Sequence, residues 1–236
     1  MQRDWHQYVA DFWHQHDIEP GIENLLPAIR SALDYYFPLY NRIWKHAKPG
    51  SRLLEVGAGT AIFGMWLASM GYEVTQIDLD ERVVKSALEH ARVFNVPKER
   101  YRVLVGDGSK VAQTFADQKF DLSYSRGLIE HFPECDAIDV LQGMGSVSRK
   151  IVSIVPGKHM KVPRVDERPF TMRKLRELHE RAGLKVIESF SFGDEPRWLR
   201  LYVPPILGRV VRRHFEIGSD VGVICLSKSH PPSARV

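Results

Sequence analysis

Two cysteines, Cys135 and Cys225, are all that the 236 residues contain. That is too few for a disulfide framework, and the C-x-x-C or Cys/His spacing of a zinc site is missing, so a reducing compartment and no metal are expected. Long apolar runs are also lacking. The segment Met1 to Glu19 mixes charges and three histidines (His6, His14, His16) with its aromatics. It therefore has neither the apolar stretch of a secretory signal nor the length of a spanning helix, and the expected location is the cytoplasm. The histidines have no metal-ligand company and read as surface residues. A large excess of charge of one sign is absent too: the formal net charge is +4, with bases and acids interspersed. Such a balance permits nucleic-acid binding without indicating it. Repeats and low-complexity tracts do not occur. What is present, 44% hydrophobic and 26% charged residues, is the composition of a globular chain that buries a core, and one domain over 1–236 is expected.

Within that domain the spacing predicts three regions: a helical cap over 1–49, a core over 50–193 and 220–229, and an insertion over 194–219. In the cap, Trp5, Tyr8, Val9, Phe12 and Trp13 share one helical face. A second helix is predicted over Gly21 to Phe37, bounded by Pro20 and Pro38, because proline lacks the N–H that a helix interior needs. From Ser51 short apolar runs alternate with helical stretches. Strands are predicted at Arg52 to Val56, Glu73 to Ile77, Arg102 to Val105, Phe120 to Tyr124, Ile151 to Val155, Leu184 to Phe192 and Val221 to Ser227. Helices are predicted near Ile62 to Met70, Glu81 to Phe94, Ser109 to Phe115 and Ala137 to Val147, and from the N-cap Thr171. This alternation argues for an α/β fold, a mostly parallel sheet with helices on both faces.

The densest signal is Leu53-Leu54-Glu55-Val56-Gly57-Ala58-Gly59-Thr60-Ala61, a buried strand running into a glycine turn and then a helix that Gly71 closes. Glycines there let the backbone approach a ligand at the carboxyl end of the strand. A second strand ends in Ile77-Asp78, where a carboxylate suits ribose hydroxyls. A dinucleotide site would need a third glycine at Ile62, and Gly64 is out of register for it. Glu55 also opposes a pyrophosphate, whereas it suits a cationic amino-acid group.

At these residues the sequence resembles the class I S-adenosylmethionine-dependent methyltransferases, whose turn has the form E-x-G-x-G-x-G; Ala61 stands where the third glycine usually does. The resemblance runs from about Leu53 to Ser227. It implies a Rossmann-like fold with a seven-stranded sheet and an antiparallel last strand. It implies S-adenosyl-L-methionine as cofactor, with S-adenosyl-L-homocysteine as product. Glu55 and the Gly57, Ala58 and Gly59 backbone would hold the methionine part, and Asp78 with its neighbour Leu79 the ribose side. Asp107, in Val105-Gly106-Asp107-Gly108, would read the adenine amino group, with Gly108 beside it. Ser125, at the end of Phe120-Asp121-Leu122-Ser123-Tyr124-Ser125, would pass the sulfonium.

Methyl transfer is an in-line displacement, and a base is needed only if the nucleophile carries a proton. The segment Arg126-Gly127-Leu128-Ile129-Glu130-His131-Phe132 offers His131, with Glu130 beside it, as that base. Alternatively, both satisfy loop hydrogen bonds. Arg126 would clamp a substrate carboxylate or phosphate, or else pair with Asp121 or Glu130. Trp5 and Tyr8 would contact substrate if their helix forms a lid, and otherwise belong to core, as do Tyr35, Tyr36, Phe37, Tyr40 and Trp44. In the insertion, Val203, Ile206, Leu207, Val210 and Val211 with Arg209, Arg212 and Arg213 form a basic amphipathic helix. It either touches an anionic membrane through 203–215 or packs its apolar face on the sheet.

The leading expectation is a methyltransferase acting on an oxygen, nitrogen or carbon of a small molecule, without a nucleic-acid partner. An RNA or DNA methyltransferase is the alternative. Against it, the end of the fourth strand reads Ser123-Tyr124-Ser125-Arg126 where amino-directed nucleic-acid enzymes have Asn/Asp-Pro-Pro-Tyr/Phe. A cofactor-binding partner subunit without turnover is the third reading.

Overall fold

The structure is a computed structural model and describes residues 22–158, 168–193 and 220–228. Its chain divides into two compact units, Met1–Tyr124 and Ser125–Val236. The first described element of the first unit is helix α1 (Ile22–His46). The predicted end at Pro38 is overturned, since the helix continues for two more turns. Leu39, Ile43 and Ala47 recur at four-residue intervals and are buried. A proline inside a helix costs about 3 kcal/mol, while burying a leucine and an isoleucine contributes roughly 1.5–3 kcal/mol each, so the apolar stripe prevails. Arg42 Nη1 also donates to the Pro38 carbonyl at 2.8 Å. The aromatics of α1 divide between inside and outside. Tyr40 lies 4.6 Å from the Trp66 ring, Tyr36 lies 6.0 Å from Phe63, and Phe37 and Trp44 are exposed.

β1 (Arg52–Val56), α2 (Ile62–Ser69), β2 (Glu73–Asp78), α3 (Glu81–Val93) and β3 (Tyr101–Val105) follow. Each strand is short and bounded by a turn, and β2 carries the buried polar residues Thr75 and Gln76. α2 is apolar almost all round because nearly every side chain in it is buried. It stops at Gly71 as expected: the Gly71 N–H donates to Ala68 and the Tyr72 N–H to Leu67. α3 starts at Asp80, whose carboxylate accepts from the Arg82 N–H at 2.9 Å. The helix predicted over Ser109 to Phe115 is instead a tight 3-10 turn at Gly108–Lys110 and a single turn, α4 (Val111–Thr114). Asp107 imposes the tighter turn by accepting from both the Ser109 N–H and its hydroxyl. β4 (Phe120–Arg126) runs two residues beyond the predicted Tyr124, so Ser125 and Arg126 belong to the strand. β1 pairs in parallel with β2 and β4, and β2 with β3.

In the second unit a 3-10 turn (Ile129–His131) leads to α5 (Glu134–Val147), then β5 (Ser148–Pro156), α6 (Met172–Arg181), β6 (Lys185–Phe192) and β7 (Asp220–Leu226). Thr171 caps α6 as predicted, accepting from the Lys174 N–H at 3.1 Å. β7 runs antiparallel to β5 and β6. The seven strands take the order β3-β2-β1-β4-β5-β7-β6, which is the expected mostly parallel sheet with an antiparallel last strand. Among the described residues no helix is long and apolar enough to cross a membrane. Trp5, Tyr8 and the basic insertion with its 203–215 stretch lie outside the described residues.

Candidate cofactor and acceptor sites

β1 ends in a turn whose backbone is left-handed at Gly57 (φ 83°), Gly59 (φ 51°) and Ala61 (φ 59°). The turn is stitched to the end of β2. The Gly57 and Ala58 N–H groups both donate to the Ile77 carbonyl at 3.0 Å. The Gly59 N–H donates to Asp78 Oδ2 at 3.0 Å, and Asp78 Oδ1 accepts from the Asp80 N–H at 3.1 Å. A side chain added at Gly59 would meet nothing within 4 Å. The turn therefore presents bare backbone to open space, which a ligand needs for close approach.

Three acidic residues follow one another at the carboxyl ends of β1, β2 and β3, and each sits in a different environment. Glu55 is fully buried (0% exposed), and its Oε2 accepts from Gln76 Nε2 at 2.5 Å and Tyr124 Oη at 2.9 Å. Asp78 is partly buried. Burial raises its pKa above the usual carboxylate value, against the lowering effect of the Gly59 and Asp80 N–H donors. Asp107 is the reverse: the Ser109 hydroxyl hydrogen bond leads a shift downward, with the Ser109 N–H and Lys110 acting the same way. Leu79, directly after Asp78, is 70% exposed. A large apolar side chain held in solvent beside a carboxylate suits the face of a base next to ribose hydroxyls. Gly108 opens the 3-10 turn after Asp107. The bare Gly59 backbone, the Asp78 carboxylate and the exposed Leu79 thus fit the adenosine cofactor that the sequence resemblance implies.

The second unit carries the other candidates. Ser125 is fully buried, and its hydroxyl has no hydrogen-bond partner among the described residues; buried hydroxyls normally have one. Arg126 ends β4 half-buried, and Asp121, one of its two expected partners, accepts the Arg52 N–H at 2.8 Å. At Gly127 the backbone is left-handed, and its N–H donates to the Ile154 carbonyl at 3.0 Å. Glu130 is only 1% exposed, and His131 Nε2 lies 3.8 Å from Glu130 Oε1. Arg168 holds this turn from outside, donating through Nε to the Glu130 carbonyl at 3.2 Å and through Nη2 to the Phe132 carbonyl.

Sequence reasoning missed Arg168, Gln76, Tyr101 and the structural part of Tyr124. Gln76 did carry a signal: a polar residue at the centre of a strand read as buried must have a buried partner. Arg168 carried none, because it is separated by 38 residues from the carbonyl it binds.

Residues 53–150 match the family model described as a methyltransferase domain. A putative ribosomal RNA large subunit methyltransferase of Methanocaldococcus jannaschii is 35% identical over 33% of this chain and 21% of its own length. A ubiquinone biosynthesis O-methyltransferase of Paramagnetospirillum magneticum is 36% identical over 37% of this chain and 33% of its own. The chain thus spans between 21% and 37% of the length of the curated relatives it matches. Among solved structures, the magnesium protoporphyrin IX methyltransferase from Synechocystis PCC 6803 with bound SAH superposes with a TM-score of 0.62. That likeness covers 95% of this chain and 96% of the other at 13% identity, and it speaks for the fold.

Proposed function

We propose that this chain, whose residues 53–150 match a methyltransferase-domain model, is a class I S-adenosylmethionine-dependent methyltransferase that transfers a methyl group to an oxygen, nitrogen or carbon of a small-molecule acceptor. The observation that carries the cofactor half of this reading is the Gly59 to Asp78 hydrogen bond beside the open face of the glycine turn. One interaction sets both the backbone and the carboxylate that a ribose-bearing ligand would use. When bound, S-adenosylmethionine supplies an electrophilic methyl on a sulfonium. That methyl would pass to the acceptor atom, with S-adenosylhomocysteine as the leaving group.

The residues divide the work. Glu55 and the Gly57 to Gly59 backbone hold the methionine part, Asp78 the ribose hydroxyls, Leu79 and Gly108 the faces of the base, and Asp107 its amino group. The family resemblance assigns Ser125 to the sulfonium end of the cofactor. Where the acceptor carries a proton, His131 takes it, and buried Glu130 stabilises the imidazolium that results. Arg126 pairs with an anionic group of the acceptor.

The likeness to ubiquinone biosynthesis O-methyltransferases supports a small acceptor, and the absence of an Asn/Asp-Pro-Pro-Tyr/Phe element at Ser123 to Arg126 argues against an amino-directed nucleic-acid enzyme. The ribosomal RNA relative shares a similar stretch, so the acceptor is decided by a direct assay. Isothermal titration with S-adenosylmethionine and SAH comes first, followed by transfer of labelled methyl to a panel of phenols, quinols and carboxylates, with ribosomal RNA in parallel. Saturable binding and label in a small molecule are expected. No binding by the folded chain overturns the cofactor, and label in RNA alone overturns the acceptor.

A further inference from the structure

Glu55 is a carboxylate with no exposure to water, so its charge requires donors. Two reach one oxygen: Gln76 Nε2 at 2.5 Å and Tyr124 Oη at 2.9 Å. Behind Gln76 stands Tyr101, whose hydroxyl donates to Gln76 Oε1. The chain of bonds has only one orientation. An ionised carboxylate accepts and never donates, so the amide nitrogen must face Glu55; its oxygen then faces Tyr101, which must donate. Burial and the Glu55 charge both raise the Tyr101 pKa, so that donor keeps its proton at any working pH. α2 makes room for this arrangement. A Cβ on Gly64 would lie 2.5 Å from both Cδ and Nε2 of Gln76, closer than any side chain tolerates. The glycine that falls out of register for a dinucleotide site is therefore required by the glutamine beneath it.

We propose that Gln76 and Tyr124 are positioning residues that fix the Glu55 carboxylate for the cationic amino-acid end of the cofactor, with Tyr101 orienting Gln76 and Gly64 admitting it. This rests on the cofactor reading given above. Neutral donors hold a buried carboxylate in one orientation, and a fixed charge in a water-poor site attracts a cation more strongly than a mobile one.

A rivet holding β1 to β4 together would affect every ligand alike, whereas a positioning role acts on one end of the cofactor. The test uses Tyr124→Phe, which keeps the ring that meets Phe63 edge-on at 5.8 Å and removes only the hydroxyl. Calorimetry compares SAH with 5′-methylthioadenosine, which has the same adenosine and no amino-acid end. Tyr124→Phe is expected to weaken SAH by about tenfold, the share of the attraction lost when the Glu55 carboxylate is no longer fixed. Methylthioadenosine affinity should stay within about twofold. Tyr101→Phe and Gly64→Ala should show the same split, and they carry the test if Tyr124→Phe does not fold. Equal weakening of both ligands, or of neither, overturns the proposal. A wild-type chain that binds neither ligand overturns the cofactor reading itself, a separate result.

Discussion

The Gly59 N–H and Asp78 Oδ2 are 3.0 Å apart and join the glycine turn to the end of the second strand. The carboxylate bound there is held in a partly buried site that raises its pKa. A raised carboxylate pKa means that the fold favours the protonated form: the stability it contributes is present at low pH and is lost as pH rises through the folded-state value. Ligand binding runs the other way, because the ionised form is the better acceptor for ribose hydroxyls. Asp78→Asn should therefore separate the two. We expect SAH affinity to fall by roughly ten- to a hundredfold, with a melting temperature little changed at neutral pH, because relief of the buried charge offsets the one N–H, of Gly59 or Asp80, that the amide cannot accept from. Wild-type affinity should also weaken as pH is lowered, beginning above the ordinary carboxylate range, and the variant should lose that dependence. Unchanged affinity in the variant rejects Asp78 as a ligand.

Ala61 occupies the left-handed region at φ 59° with its side chain fully buried. A Cβ there costs roughly 1–2 kcal/mol. Replacing it with glycine removes that strain, at the expense of a buried methyl worth about 0.8 kcal/mol and roughly 0.4–1 kcal/mol of added unfolded-state entropy. These nearly cancel, which explains how alanine is accommodated in a turn built for glycine. Ala61→Gly should change unfolding free energy by less than about 1 kcal/mol. Ala61→Val should destabilise by several, because a β-branched residue is poorly compatible with positive φ and has no space. Urea unfolding of the pair decides it: valine tolerated within about 1 kcal/mol of wild type would remove the strain argument.

These residues also show what the sequence makes legible. β1 and α3 were readable because local signals agreed: an apolar run ending in glycine, and Asp80 preceding an amphipathic helix. Glu55, Asp78 and Asp107 could be singled out because each lies at or just beyond the carboxyl end of a strand. The end of α1 was not, since the local proline signal at Pro38 was overridden by burial of Leu39 and Ile43, a tertiary effect. Nor was the partnership of Glu55 with Gln76 and Tyr124, residues 21 and 69 positions away. Strand pairing, unlike periodicity, is needed to bring them together. The same limit hid Arg168, which reaches the Glu130 turn from a distant stretch of chain.

His179 tests the energetics of the second unit. It is fully buried on α6, with Nδ1 2.8 Å from the Leu175 carbonyl and Nε2 2.9 Å from Ser153 Oγ. A carbonyl only accepts, so Nδ1 carries the proton and Nε2 accepts from the serine. The neutral ring is satisfied on both sides, and burial pulls its pKa down to about 4. In the unfolded chain the same ring titrates near 6.5, so the unfolded state binds the extra proton first as pH falls. The stabilisation is present above 6.5 and is lost between there and about 4. Integrating that difference from pH 7 to pH 5 gives a loss of about 2 kcal/mol from this one group. Urea unfolding across that range should show wild-type stability falling more steeply than that of His179→Gln, by about that amount. The variant starts lower at neutral pH because its amide fits the two partners less well, and the curves should converge toward acid. Parallel curves would mean that His179 takes up its proton without unfolding, and that Ser153 yields its place at Nε2 to solvent or another acceptor.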